Sequence, residues 1–91
     1  MTARLYARSP DASASTVGDR VVLYHRTSRA ALVLNPTGSV IWEQLSVPQT
    51  SDALAASLRA RFPTLTVEQS QHDVDAFLAD LVRHAMVAAA S

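Results

Sequence analysis

The stretch that decides the fold is LNPTGSVIWEQL, which occupies residues 34–45. Asn35 is a preferred helix N-cap, and Pro36 fits the first helical position because its missing N–H would be unpaired there anyway. The apolar residues between positions 40 and 45 recur at helical spacing, so one face of this segment is apolar. Glycine disfavours a helix, which indicates that Gly38 allows another backbone segment to approach closely. The stretch predicts a strand end, a tight turn and an amphipathic helix.

Composition limits the class of protein. The chain has 91 residues, which is enough for one small domain, and no cysteine, which excludes disulfides and thiolate metal sites. Eight arginines, with no lysine, balance eight acidic residues, so there is no basic excess to attract nucleic acid or an anionic membrane. The N-terminal residues lack the apolar core of a signal peptide, and no run is long enough to span a membrane. We therefore expect a small soluble cytoplasmic domain.

The N-terminal half has the pattern of a β-meander. Residues 20–26 (RVVLYHR) and 29–34 (RAALVL) are rich in β-branched and apolar residues, and only Thr27-Ser28 separates them, which predicts a hairpin with a two-residue loop. Residues 12–17 form a plausible first strand, with Gly18-Asp19 as the turn. In the last strand, alternate residues share a face, and the face that ends at Leu34 is expected to point to the core.

Three helices are predicted after the meander. The first covers about residues 36–46, the second about 51–62, and the third opens with the capping box Thr66–Gln69 and continues through residue 81 or beyond. Because each element buries little by itself, the helices must cover one face of the sheet. The predicted fold is α+β and winged-helix-like, with an N-terminal three-stranded antiparallel sheet followed by three helices. Residues 1–11 are expected to be a flexible N-terminal segment, residues 12–87 the folded domain and residues 88–91 a frayed tail.

The sequence offers little for catalysis. Its three histidines are dispersed, and His72 and Asp75, which share a helix face, lack a third ligand and are better explained as a solvated surface. There is no nucleophile elbow and no glycine-rich anion loop. We expect no enzyme activity, no metal site and no cofactor.

Two binding functions remain from the residues alone. A winged-helix DNA-binding protein would place arginines such as Arg59 and Arg61 on phosphates, but the third helix carries four acidic residues against one arginine. A peptide-binding protein would use the free edge of strand 29–34 beside a helix flank on which Phe77 lies between Asp73 and Asp80. The residue pattern by itself favours a plainer interpretation of that flank, in which Phe77 belongs to the core and the acids are solvated.

A family resemblance favours the peptide-binding interpretation. Over residues 19–87 the chain resembles the PqqD-like family, also called RiPP recognition elements, in four segments: VVLYHRTSR, LNPTGSVIW, LAASLRARF and DVDAFLADL. The resemblance implies a three-stranded sheet with three helices, no catalysis, and binding of a precursor's leader peptide as an added strand between the third strand and the third helix. The peptide-binding residues that follow from this placement are Arg29, Ala30, Ala31, Leu32, Val33, Asp73, Phe77, Asp80, Leu81 and His84.

Within that family, the chain is most similar to the stand-alone leader-binding proteins of lasso-peptide biosynthesis. The implied partners are the precursor's leader peptide, a leader peptidase of the transglutaminase-like cysteine protease type and an ATP-dependent cyclase. The alternatives are a PqqD-type peptide chaperone for a radical-SAM enzyme and a winged-helix DNA-binding protein. Two departures stand out: Ser28 replaces a frequent turn glycine, and Ala85 replaces a frequent glycine after the third helix, so that this helix is expected to continue toward Met86 or to fray.

Overall fold

The computed structural model describes residues 4–90, which form two small antiparallel sheets and three helices. The strands are β1 (Leu5–Arg8), β2 (Ala12–Val17), β3 (Arg20–His25), β4 (Ala31–Leu34), β5 (Gln49–Thr50) and β6 (Val87–Ala90). The helices are α1 (Pro36–Gln44), α2 (Ser51–Arg61) and α3 (Val67–Arg83). The predicted α+β fold, with a three-stranded meander followed by three helices, is confirmed.

The first sheet has the strand order β2-β3-β4, as the sequence predicts. Leu23 pairs with Leu32, and Val21 pairs with Leu34, so these residues share the face that packs on the helices. On the opposite face Val33 is 62% exposed. Among the described residues, β4 pairs with β3 alone, so its other edge is open.

The loop between β3 and β4 is longer than predicted. The His25 N–H donates to the Ala30 carbonyl (2.9 Å), and the Arg29 N–H donates to the His25 carbonyl (2.8 Å). Arg29 has a φ of 64°, in the left-handed region. The buried His25 ring explains the difference, because its Nδ1 accepts the N–H groups of Thr27 (3.2 Å) and Ser28 (3.1 Å) and holds a four-residue turn. The predicted two-residue loop is therefore wrong.

The second sheet has the order β5-β1-β6 and was not predicted. Strand β1 pairs with β6 over four residues and with β5 over two. We expected residues 1–11 to be flexible and residues 88–91 to be frayed, but Leu5–Arg8 and Val87–Ala90 are paired strands. Residues 1–3 and 91 of these predicted segments lie outside the described residues. The physical reason is that each strand supplies the hydrogen-bonding partner of the other, while the side chains of Met86 and Val87, where the chain enters β6, are buried in the core.

Arg8 attaches the second sheet to α1. Its guanidinium lies 4.4 Å from the centroid of the Trp42 ring and also donates to the Trp42 carbonyl. Burial lowers the pKa of Arg8, and the charge of nearby Glu43 opposes that shift. This contact combines a cation–π interaction with a hydrogen bond between residues that are 34 positions apart.

Side-chain caps fix the three helix starts, and those at Asn35 and Thr66 are the predicted ones. The Asn35 side chain accepts the Gly38 N–H (2.7 Å), Thr50 accepts the Ala53 N–H (3.1 Å), and Thr66 with Gln69 forms the predicted capping box. Among the described residues, no helix has both the length and the apolar character needed to cross a membrane. The core, which all three helices share with both sheets, consists of Leu23, Leu34, Ile41, Trp42, Leu45, Leu54, Ala55, Leu58, Val74, Leu78, Leu81, Met86 and Val87.

Helix α3 ends sharply at Arg83, which corrects the expectation that it continues toward Met86 or frays. The Met86 N–H donates to the Leu81 carbonyl (2.8 Å), and the Ala85 N–H donates to the Val82 carbonyl (3.0 Å), which is the Schellman pattern. Ala85 has a φ of 58°, a conformation that favours glycine. The burial of Met86 and Val87 directs the chain into β6 despite the strain at Ala85.

Candidate peptide-binding groove

The open edge of β4 presents two residues whose backbone groups have no strand partner among those described. The hydrogen bond from His25 to Ala30 marks a bonded pair, and in an antiparallel ladder bonded and non-bonded pairs alternate. Leu32 therefore directs its N–H and C=O toward β3, and Ala31 and Val33 direct theirs toward the open edge. The side chains alternate as the sequence predicts, with Leu34 buried and Val33 exposed.

A continuous groove, the β4–α3 groove, runs beside this edge. It consists of three adjoining cavities of about 160, 300 and 330 Å³. The first and second share Asn35, Phe77 and Asp80, and the second and third share His72 and Asp73. The remaining lining residues are Leu32, Val33 and Leu34 in the first cavity, Thr37, Gly38, Ile41 and Ala76 in the second, and Leu65, Glu68 and Gln69 in the third.

Phe77 borders the first and second cavities of the groove and is partly buried. Its ring packs against Gly38, where a Cβ atom would lie 3.0 Å from Cε1 and 3.1 Å from Cζ. The close approach predicted at Gly38 is thus made by an aromatic side chain, and the expectation of another backbone segment is wrong. The absence of a side chain at position 38 leaves room for the Phe77 ring of α3 against the first turn of α1.

The charged side chains that line the groove are acidic. They are Glu68, Asp73 and Asp80, all exposed, and no arginine lines any of the three cavities. Asp80 forms an exposed ion pair with Arg83, which is three positions further along the helix. Within the described part of the chain, Asp73 has no ion pair.

The structure brings half of the predicted site residues together in the groove: Leu32, Val33, Asp73, Phe77 and Asp80. Ala31 is exposed and belongs to the open edge of β4. The prediction that Leu81 contacts the peptide needs correction, because its side chain is 0% exposed and forms part of the core beneath the groove.

The other predicted residues lie beyond the cavities. Arg29 and Ala30 precede β4, and Arg29 is in the turn. His84 ends α3, with its Nδ1 2.9 Å from the Asp80 carbonyl oxygen. Asn35, Thr37, His72 and Ala76 also line the groove and were not predicted as site residues. Asn35 belongs to the same motif as Gly38, whose N–H its side chain accepts.

Metal binding and DNA binding find little support among the described residues. No group of three or more histidine and acidic side chains among them is arranged to hold a metal ion. Arg59, which a DNA-binding function would place on phosphates, donates to the buried Ser70 hydroxyl (2.8 Å) and ties α2 to α3.

Comparison with known proteins identifies the family. The sequence model of the family described as coenzyme PQQ synthesis protein D (PqqD) matches residues 20–87, so the chain belongs to the PqqD family. No curated protein sequence matches the chain.

Two solved structures share its fold. TbiB1 in complex with the TbiA(β) leader peptide superposes with a TM-score of 0.79 at 21% identity, over 89% of this chain and 93% of that chain. Lasso peptide synthetase B1 complexed with the leader peptide superposes with a TM-score of 0.77 at 19% identity, over 91% of this chain and 96% of that chain. The fold predicted from the sequence is therefore the fold of these proteins.

Proposed function

We propose that this chain binds the leader peptide of a ribosomally made precursor as a strand added to the open edge of β4. The observation that carries the proposal is the position of the β4–α3 groove directly beside the outward N–H and C=O groups of Ala31 and Val33. Both structural relatives are described as complexes with a leader peptide, which supports the same use of this fold.

Backbone pairing and side-chain contacts have different roles in this proposal. Ala31 and Val33 together offer two donors and two acceptors, and each hydrogen bond contributes a net ~0.5–1.5 kcal/mol. Such bonds hold any extended peptide, so discrimination between peptides must come from the groove. Alternate side chains of the added strand point toward Phe77 and the inner face of β4, and the others lie beside the exposed Val33 side chain.

We assign no catalytic step to this chain. As the family resemblance implies, we propose that the bound leader delivers its core peptide to a transglutaminase-like leader peptidase and to an ATP-dependent cyclase in the cytoplasm. A PqqD-type chaperone that serves a radical-SAM enzyme is the alternative within the family. Pull-down of each candidate enzyme in the presence of precursor, compared with its absence, distinguishes the two.

The decisive experiment places proline at neighbouring positions of β4. Val33→Pro removes an outward N–H and puts the proline ring against the incoming strand, so we expect it to weaken leader binding by at least ~10-fold while circular dichroism and the melting curve persist. Leu32→Pro removes a bond to β3 and should unfold the hairpin. The ligand is a synthetic leader of the precursor encoded beside this chain's gene, titrated by calorimetry.

Val33→Ala is the matched control, because it removes the exposed side chain but keeps the N–H. It should bind the leader within ~3-fold of the parent, because the side chain faces away from the core and would make only a single cross-strand contact with the leader, while the backbone hydrogen bonds are kept. Parent-like affinity of a folded Val33→Pro variant would exclude strand addition at this edge.

A further inference from the structure

The second cavity of the β4–α3 groove has the chemistry of a cation subsite. Its lining combines the apolar side chains of Ile41, Ala76 and Phe77 with the exposed carboxylates of Asp73 and Asp80. The exposed His72 ring also borders this cavity. The Asn35 side chain already accepts the Gly38 N–H (2.7 Å), one of the amides at the start of α1. An acidic ligand would also meet the like charges of Asp73 and Asp80 in this cavity.

The two carboxylates differ in availability. Asp80 is paired with Arg83, whereas Asp73 has no ion pair among the described residues. Asp73 also borders both the second and the third cavity, so it lies where these two cavities meet. Asp73 is therefore the carboxylate that a ligand cation would reach without competing with an internal arginine.

The direction of the added strand decides which leader residue enters this cavity. A strand antiparallel to β4 runs from the Leu34 end toward the Ala31 end, and antiparallel pairs are slightly more stable than parallel ones. Residues that precede its paired segment then lie beyond Leu34, next to Asn35, which lines both the first and the second cavity.

Resting on the function proposed above, we propose that the second cavity binds a lysine or arginine side chain located immediately N-terminal to the leader residues that pair with β4. The aliphatic stem of that side chain packs on Ala76 and Phe77, and its cation pairs with Asp73. The Phe77 ring face adds a cation–π contribution. The groove thereby selects a leader with a basic residue followed by an alternating apolar strand.

The test is selection of random extended peptides, displayed on phage, against the whole immobilised chain. We expect the enriched peptides to share a lysine or arginine at a fixed position before an alternating apolar segment. In calorimetry, replacing that residue of a selected peptide by glutamine should weaken binding by ~10-fold, and Asp73→Asn should weaken binding of the original peptide to a similar extent. Applying both changes together should cost little more than either alone.

Asp75→Asn is the matched control, because it makes the same change on the same helix but outside the groove, where Asp75 accepts a hydrogen bond from Gln71 (3.0 Å). It should leave the affinity unchanged. As a rescue, Asp73→Lys should recover binding of the selected peptide in which the basic residue is replaced by glutamate.

The outcomes separate this inference from the proposed function. Peptides that lose affinity for Val33→Pro but bind Asp73→Asn like the parent, or whose fixed basic residue lies after the paired segment, overturn the cation subsite and leave strand addition intact. If no enriched peptide loses affinity for Val33→Pro, the proposed function fails, and the subsite fails with it.

Discussion

The Phe77 ring occupies the space that a side chain at Gly38 would need. A Cβ atom at position 38 would lie 3.0 Å from Cε1 of Phe77 and 3.2 Å from Oδ1 of Asn35. Both distances are shorter than ordinary van der Waals contact, so a side chain at position 38 would displace the Phe77 ring or the Asn35 cap of α1. Glycine at position 38 lowers the helix propensity of α1. It also leaves the space that the Phe77 ring occupies, which shapes the β4–α3 groove.

Gly38→Ala should therefore separate stability from binding. The methyl group gains up to ~1 kcal/mol of helix propensity, but it pushes the partly buried ring into the groove, and the two effects should leave the free energy of unfolding within ~1 kcal/mol of the parent. Leader affinity should fall by about 3- to 10-fold, measured by calorimetry. Ser39→Ala, the next position of α1 and outside the groove, is the control. Parent-like affinity of a folded Gly38→Ala protein would show that the ring position is unimportant.

Phe77→Ala tests whether the ring contacts the ligand or only supports the core. If the ring forms the groove floor, leader binding should weaken by ~1–3 kcal/mol, beyond any change that the melting curve explains. Val82→Ala, at a 43% exposed residue on the other flank of α3, should bind like the parent. A variant that loses stability but retains full affinity would place Phe77 in the core alone.

Ala85→Gly should stabilise the protein. Ala85 is held at a φ of 58°, where a Cβ atom is unfavourable, and glycine removes that strain. We expect the free energy of unfolding in urea to rise by ~1 kcal/mol. The same substitution at Ala79, inside α3, should lower it by ~1 kcal/mol. Destabilisation by Ala85→Gly would contradict the Schellman ending of α3.

The junction between the first sheet and the helices should dominate stability. Ile41 is 1% exposed and Leu78 is 2% exposed, so truncation of either to alanine should cost ~2–5 kcal/mol in denaturant unfolding. Arg83→Ala removes only an exposed ion pair and should stay within ~0.5 kcal/mol of the parent. If Ile41→Ala unfolds at the parent's denaturant concentration, the core assignment at this junction is wrong.

Salt dependence distinguishes the peptide from the DNA alternative. Binding of random duplex DNA would weaken steeply with salt because phosphate contacts release counterions. Binding of a leader through backbone pairing, apolar contacts and a single ion pair should depend on salt only weakly. Fluorescence anisotropy with labelled duplex and labelled leader, across a salt series, compares the two. Tight DNA binding that is lost in Arg61→Ala would favour the winged-helix function.

Local signals in the sequence were enough for the helix caps and the meander. Asn35, Thr50 and Thr66 each cap through contacts within three residues, so the sequence determined where each helix begins. The alternation in β4 likewise determined which residues face the core and which backbone groups face the open edge. The β3–β4 turn was mispredicted because the buried His25 ring, which no alternation pattern reveals, holds the turn amides.

The second sheet and the groove depend on contacts between residues that are distant in the chain. Strand β1 pairs with β6, which lies at the opposite end of the described chain, and Arg8 contacts Trp42 across 34 positions. The residue patterns of β1 and β6 therefore do not predict their strand pairing. The groove arises in the same way, because Gly38 and Phe77 belong to different helices and meet only when both pack on the first sheet. The sequence by itself determined the helices, the meander and the alternation along β4, because the hydrogen bonds of the caps and hairpins form between residues that are close in the chain. The second sheet and the shape of the groove required the folded chain, because their stabilising contacts exist only after distant segments have been brought together.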